Sequence, residues 1–298
     1  MNIKTFFDLL RVHQWYKNLV IYLALIFSNL LFHSNLFLLT TLGLVALCFV
    51  SSSNYIINDI IDLKKDRAHP EKKFRPIASG KIEVSFAIII SVVLLLAGLL
   101  IAYKLSLIFF ISSIFLFVLT FSYTLYLKNI LFLDVIIISV NFVIRAVSGT
   151  FIINRILSPW LILCPFFLAL FLAVGKRHGD FKLLGKNAVN HKQVLKDYTP
   201  EINSVLIIIS TTLLLISYSL YAFLGEHKKL LLTIPFAIYV VFRYLYLIYS
   251  GSIIARKPNL LYRDKELVVG LILLLLAVIV ALYLDLNTYQ IIYPIQSS

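Results

Sequence analysis

Apolar stretches at 17–33, 36–57, 84–103, 105–126, 131–153, 159–175, 202–224, 230–250 and 267–285 dominate this chain of 298 residues. Each has the length an α-helix needs to cross the hydrocarbon of a bilayer, where every backbone polar group must be satisfied within the segment. With 61% hydrophobic residues, the composition lies outside that of soluble domains. The expectation is an all-α polytopic membrane protein, with nine transmembrane helices forming one membrane-embedded domain over residues 1–298. Ahead of them, Ile3, Phe6, Phe7 and Leu10 share a face opposite Lys4, Asp8 and Arg11. That pattern predicts an interfacial amphipathic helix within 1–15.

The chain carries 27 Lys and Arg against 14 Asp and Glu. In a membrane protein such an excess marks cytoplasmic loops and phosphate-bearing ligands, and a nucleic-acid partner is not expected. A cytoplasmic N-terminus places most of the bases inside, makes 59–83 and 176–201 cytoplasmic loops and leaves the C-terminus outside. The two large charged loops follow the second and sixth stretches, as expected if two four-helix halves face each other across a cavity. Cys48 and Cys164 lie in apolar runs and read as packing residues. The chain has no P-loop, Cys-x-x-Cys, His-Glu-x-x-His or Gly-x-Ser-x-Gly pattern, so nucleotide hydrolysis, zinc chemistry and serine hydrolysis lack their usual groups.

The largest polar insertion runs from Asn54 to Gly80. Asn58, Asp62 and Asp66 recur every four residues, and Asp59, Asp62 and Asp66 fall at i, i+3 and i+7, so a continuing helix puts these oxygens on one face. Carboxylate and amide oxygens suit Mg2+, which binds through one or two carboxylates plus substrate phosphates. Lys64, Lys65, Arg67, Lys72, Lys73 and Arg75 follow as candidates to meet the phosphates. A solvated, topology-setting loop explains the bases but not the spaced acids.

Asn58-Asp59-x-x-Asp62-x-x-x-Asp66 resembles the first aspartate-rich motif of the UbiA-type membrane prenyltransferase superfamily. Its continuation, His69-Pro70-x-Lys72-x-x-Arg75-Pro76-Ile77-Ala78-Ser79-Gly80, is similar to the decaprenyl-phosphate phosphoribosyltransferase branch. The resemblance implies a UbiA-like bundle around a central cavity opening to the cytoplasm, Mg2+ as cofactor and a cell-wall precursor as product. It also implies that Gln14, Lys17 and Asn18, at the entry to the first span, lie at the active-site mouth. On residue type alone Trp15 and Lys17 are ordinary interfacial anchors.

Tyr123-x-x-x-x-Lys128-x-x-x-x-x-Asp134 joins the fourth and fifth stretches, and Arg145 lies deep in the fifth. An arginine there faces protein or water and is a functional candidate. Asp134, eleven residues earlier, is about 16 Å away along a helix and a poor partner for it. Leu133-Asp134-Val135, Arg145-Ala146 and Ser148-Gly149 again look like the same branch. After the sixth stretch, where aromatic prenyltransferases of the superfamily carry a second aspartate-rich motif, this chain has Lys176, Arg177 and a single acid, Asp180. Cations in place of acids suit a more anionic substrate pair. A metal role for Asp180 is what the family pattern implies.

The expected enzyme is an integral plasma-membrane phosphoribosyltransferase moving 5-phosphoribose from phosphoribosyl diphosphate to a polyprenyl phosphate. Asn58, Asp59, Asp62, Asp66 and Asp180 are its candidate Mg2+ ligands, with Asp59, Asp62 and Asp66 catalytic. Gln14, Lys17, Asn18, Arg67, Lys73, Arg75, Tyr123, Lys128, Arg145, Lys176 and Arg177 are the candidate substrate-binding residues. An aromatic prenyltransferase is the nearest alternative, and a lipid transporter without chemistry is the alternative of another class. Oligomeric state, a homo-oligomer included, is left open.

Overall fold

The computed structural model describes residues 2–184, 194 and 198–284, and all regular secondary structure in them is helical. Most of the 185–197 segment and everything beyond 284, including the expected outer C-terminus, lie outside the described residues. Eight helices are long and apolar enough to cross a membrane. They are α3 (Ser34–Ile61), α5 (Val84–Leu105), α6 (Leu107–Leu125), α7 (Leu133–Ile153), α8 (Trp160–Leu184), α9 (Pro200–Leu224), α10 (Ile234–Tyr249, with the preceding turn from Lys228) and α12 (Lys265–Tyr283). These correspond to eight of the nine apolar stretches. The protein is an integral membrane protein of helical-bundle architecture, and Ile89, Val93, Leu96 and Leu100 of α5 are among the exposed apolar residues that suit contact with lipid.

The first stretch, 17–33, differs from expectation. Residues Val12–Tyr22 form 11 residues of 3-10 helix, and only Leu23–Phe27 (α2) is α-helical. At about three residues per turn, side chains three apart stack in columns. One column, Trp15, Asn18 and Ile21, turns inward: Trp15 Nε1 donates to Ser52 Oγ at 3.0 Å, and Asn18 and Ile21 are buried. The next, His13, Tyr16 and Leu19, is exposed. The third carries Gln14 and Lys17. At about 2.0 Å per 3-10 residue and 1.5 Å per α residue, the two pieces together reach about 30 Å, the thickness of the hydrocarbon.

The N-terminal helix α1 (Ile3–Leu10) lies within the expected 1–15 and ends where Arg11 turns into the left-handed region at φ 50. Leu9 and Leu10 pack with Ile56, Ile77, Ile82 and Ala87, which ties α1 and the 76–82 turn to α3 and α5. Ser52 Oγ donates to Leu10 O at 2.8 Å and pins the helix end that delivers Arg11. The larger cores divide the bundle. Ile21, Leu47, Ala102, Phe109 and Leu116 belong to one, Phe171, Ile207, Val241, Tyr244 and Ile248 to the other, and α7 contributes to both through Ile144 and Val135.

Candidate active site

The polar insertion folds as the expected helix with one interruption. α3 ends at Ile61, Asp62 caps it, and α4 (Leu63–Ala68) follows. Helical hydrogen bonds run across the joint, from Asp62 N to Asn58 O at 2.9 Å and from Asp66 N to Asp62 O at 2.8 Å. Asp59 and Asp66 therefore come together. Arg75 Nη1 donates to Asp59 Oδ1 at 2.9 Å and to Asp66 Oδ2 at 2.6 Å. Arg11, which the sequence reading did not place in the site, adds a second guanidinium on Asp59. Lys72 lies 4.0 Å from Asp66.

Asp62 is turned to another partner. Lys128 Nζ, arriving from the α6–α7 connection, donates to both of its oxygens at 2.9 and 2.8 Å. Among the described residues no three His, Cys, Asp or Glu side chains converge as a ready metal cage. Two buried carboxylates that share one cationic nitrogen do fit Mg2+, which takes one or two protein carboxylates and completes its shell from water and substrate phosphate. Burial raises the Asp66 pKa above the ordinary carboxylate value, against the opposing pull of Arg75 and Lys72.

A second constellation is cationic. Arg145, 6% exposed, donates from Nε to Asn18 Oδ1 at 2.8 Å and from Nη1 to Asn141 O at 2.9 Å. No carboxylate among the described residues pairs with it. Asn18 is in turn buried against Cys48 and Ser51 of α3. Lys17 stands within the fields of Arg145 and Arg11, and Lys176 within those of Lys17, Lys72, Arg177 and Asp180. Neither lysine makes an ion pair among the described residues. Lys176 is exposed and Lys17 half-buried, whereas Arg145 is buried, and a buried cation without a counter-ion is unfavourable unless an anion completes it.

Arg177 and Asp180 belong to a third cluster. Arg177 Nε donates to Asp134 Oδ2 at 2.6 Å, and Tyr198 Oη donates to Asp134 Oδ1 at 2.7 Å. Arg177 Nη1 donates to Asp180 Oδ2 at 3.3 Å, and Arg256 Nε, at the end of the short helix α11 (Ile253–Arg256), donates to Asp180 Oδ1 at 3.1 Å. The Tyr123 hydroxyl lies against Arg177. Arg256 is a further site residue that local sequence does not single out: it ends a four-residue helix and, with Lys257 beside it, looks like any solvated basic pair.

Other expected residues stand apart. Arg67 is exposed and its Nε donates to Ala78 O at 3.4 Å, holding the turn that carries Arg75. Lys73 is exposed, with its ammonium over the Phe74 ring. Gln14 and Asn58 are half-buried, and their side chains make no hydrogen bond among the described residues.

The family model described as UbiA prenyltransferase family matches residues 19–262. Decaprenyl-phosphate phosphoribosyltransferase of Mycolicibacterium smegmatis is 29% identical over 228 residues, covering 75% of this chain and 72% of that protein. The enzyme of the same name from Mycobacterium tuberculosis is 26% identical over 266 residues, 87% of each chain. Among solved structures, a UbiA homolog from Archaeoglobus fulgidus bound to GPP and Mg2+ superposes with a TM-score of 0.71 at 21% identity, over 93% of this chain and 98% of that one. The fold is thus that of the UbiA homologs, and the motif around Asp59 to Gly80 lies inside the matched segment. The chain belongs to the UbiA prenyltransferase family and is an integral-membrane transferase of that kind.

Proposed function

We propose that this protein, acting as one membrane domain, transfers 5-phosphoribose from phosphoribosyl diphosphate to a polyprenyl phosphate. The observation that carries the reading is the buried Arg145, held by Asn18 with no carboxylate partner among the described residues, in a bundle whose carboxylates Asp59 and Asp66 converge on one positive nitrogen. Such a site is short of anions, and this reaction brings several. The relatives named decaprenyl-phosphate phosphoribosyltransferase support a polyprenyl phosphate as acceptor and a phosphoribosyl group as the one transferred.

In the reaction, an anionic oxygen of the lipid phosphate attacks C1 of the phosphoribose. The new C1–O bond forms as the bond to the diphosphate breaks, and the electron pair leaves with the diphosphate oxygen. Because the attacking oxygen is already charged, no strong general base is required. Asp59 and Asp66, with Asn58 and Asp62 beside them and Asp180 as the family-implied further ligand, would hold Mg2+, whose charge offsets that developing on the diphosphate. Arg145, Lys17 and Asn18 hold one phosphate, and Lys128, Lys176, Arg177 and Tyr123 the groups of the second, so that two anions meet in one orientation. Arg67 acts through the turn that positions Arg75, and Gln14 and Lys73 belong to the rim. In this reading the mouth opens to the cytoplasm with the N-terminus on that side, and the 3-10 segment with α2 makes a ninth crossing that would leave the C-terminus outside. A reporter fused after residue 80 and found on the outer face would overturn that orientation.

The second reading is prenyl transfer to an aromatic acceptor, favoured by the prenyl diphosphate bound in the Archaeoglobus fulgidus homolog. Purified protein incubated with Mg2+ and either phosphoribosyl diphosphate plus polyprenyl phosphate, or polyprenyl diphosphate plus an aromatic acid, separates them. Phosphoribosyl-lipid by mass spectrometry, absent with EDTA, is the expected result; prenylated aromatic product alone would sink the proposal.

A further inference from the structure

We infer that Arg75 is an exchangeable counter-ion: its guanidinium and a divalent cation take turns on Asp59 and Asp66, and the displaced Arg75 then binds the substrate diphosphate. The inference rests on the reading of those carboxylates as the metal site. Its ground is that a single nitrogen, Nη1, makes both contacts, at 2.9 and 2.6 Å, from the position a cation shared by the two acids must occupy. Nε and Nη2 of Arg75 make no hydrogen bond among the described residues. The residue is also placed to move. It follows the 3-10 turn Lys72–Phe74, and its side chain is 24% exposed whereas the two carboxylates are almost wholly buried.

Charge balance decides when the exchange occurs. Asp59 and Asp66 carry two negative charges, and Arg75 with Arg11 supplies two positive ones. A divalent cation arriving alone displaces Arg75 into a neighbourhood that already holds Arg11 and Lys72, so like charges crowd a poorly solvated place. A diphosphate arriving with it neutralises both the cation and the freed guanidinium. Cation and diphosphate must therefore raise each other's affinity, by the same factor in either order.

The test measures protein-bound radioactive Mn2+ on the full chain in detergent, with and without inorganic pyrophosphate, corrected for Mn2+–pyrophosphate in the buffer. In the wild type, pyrophosphate is expected to tighten Mn2+ binding by ~5-fold or more. Arg75→Gln is expected to bind Mn2+ alone ~5-fold or more tightly than wild type and to lose most of the pyrophosphate enhancement. Equal Mn2+ affinity in the two proteins without pyrophosphate would overturn the exchange. Where Arg75→Gln fails to fold, phenylglyoxal labelling of wild-type Arg75, read by peptide mass spectrometry, decides: Mn2+ alone raises the yield and added pyrophosphate lowers it. A yield unmoved by Mn2+ rejects the idea. Asp66→Asn isolates the underlying reading, since a variant that still binds Mn2+ as wild type does would remove the metal site itself, whatever Arg75 does.

Discussion

Arg177 and Asp134 form a buried ion pair, Nε to Oδ2 at 2.6 Å, that joins α8 to α7. Asp134 is fully buried, and its other oxygen accepts from Tyr198. Burial and the neighbouring Asp134 charge push the Tyr198 pKa up, so the phenol stays a donor. A buried charge left without its partner is far worse than a buried neutral pair. Asp134→Asn should lower unfolding stability by ~3–5 kcal/mol, and Tyr198→Phe, which removes one hydrogen bond to a charged acceptor, by ~1.5–3 kcal/mol. Melting midpoints in detergent check the order; equal shifts would mean that the pair is not what holds α7 to α8.

Asp62 makes a different prediction, because both its oxygens are taken by Lys128 rather than by another acid's partner. Asp62→Asn keeps the shape but weakens the hold on Lys128. Turnover of the phosphoribosyl donor should fall by ~100-fold or more if this pair orients groups in the transition state. Expression and melting should change little, since the pair is partly exposed, at 15% and 17%. An Asp62→Asn protein with wild-type turnover would exclude a catalytic role.

The acids at 59 and 66 were legible in the sequence because helical spacing alone brings them to one face, and the structure joins them on Arg75. Helical spacing could not reveal that Asp62, at the cap between α3 and α4, turns to Lys128, because that choice is made by a loop 66 residues away. The eight regular spans were legible as apolar runs. The 3-10 geometry of 12–22 was not, since its period-three pattern of inward and outward residues is hidden in a run that is apolar or aromatic on most sides. Asp134 stands too far along α7 to serve Arg145, as helix geometry predicts. Its true partner, Arg177, lies on the next helix, beyond the reach of any local rule.

Arg243 and Asp264 give the pH dependence. Arg243 donates to both oxygens of Asp264, at 3.1 and 2.8 Å, and Asp264 also accepts from Leu267 N at the start of α12. The hydrogen bond from Arg243 holds the Asp264 pKa below the ordinary aspartate value. A depressed carboxyl pKa stabilises the fold above the unfolded-state value, and that stability is lost as pH falls through the folded-state value. The melting midpoint should therefore fall on acidification below the ordinary aspartate pKa, and Asp264→Asn should flatten that part of the curve. An unchanged curve would show that the α10–α12 contact does not depend on this charge.

Gly149 tests how the 3-10 segment sets the phosphate site. A Cβ on Gly149 would stand 2.2 Å from Ile21 O and 2.8 Å from Ala24 Cβ, so α7 touches the first segment backbone to backbone. One α-turn before Gly149 lies Arg145, and one 3-10 turn before Ile21 lies Asn18, so the same close approach fixes the 2.8 Å bond between Arg145 and Asn18. Gly149→Ala must push the two elements apart, at a cost of ~1–3 kcal/mol, and should loosen that bond. Gly98→Ala is the control, because its Cβ would meet Ala46 O at 2.9 Å between α5 and α3, a contact that includes neither Arg145 nor Asn18. Both variants should melt earlier, but only Gly149→Ala should raise KM for a phosphate-bearing substrate. If both raise KM alike, the effect follows lost stability, and the position of Arg145 is set by something other than the meeting of Gly149 and Ile21.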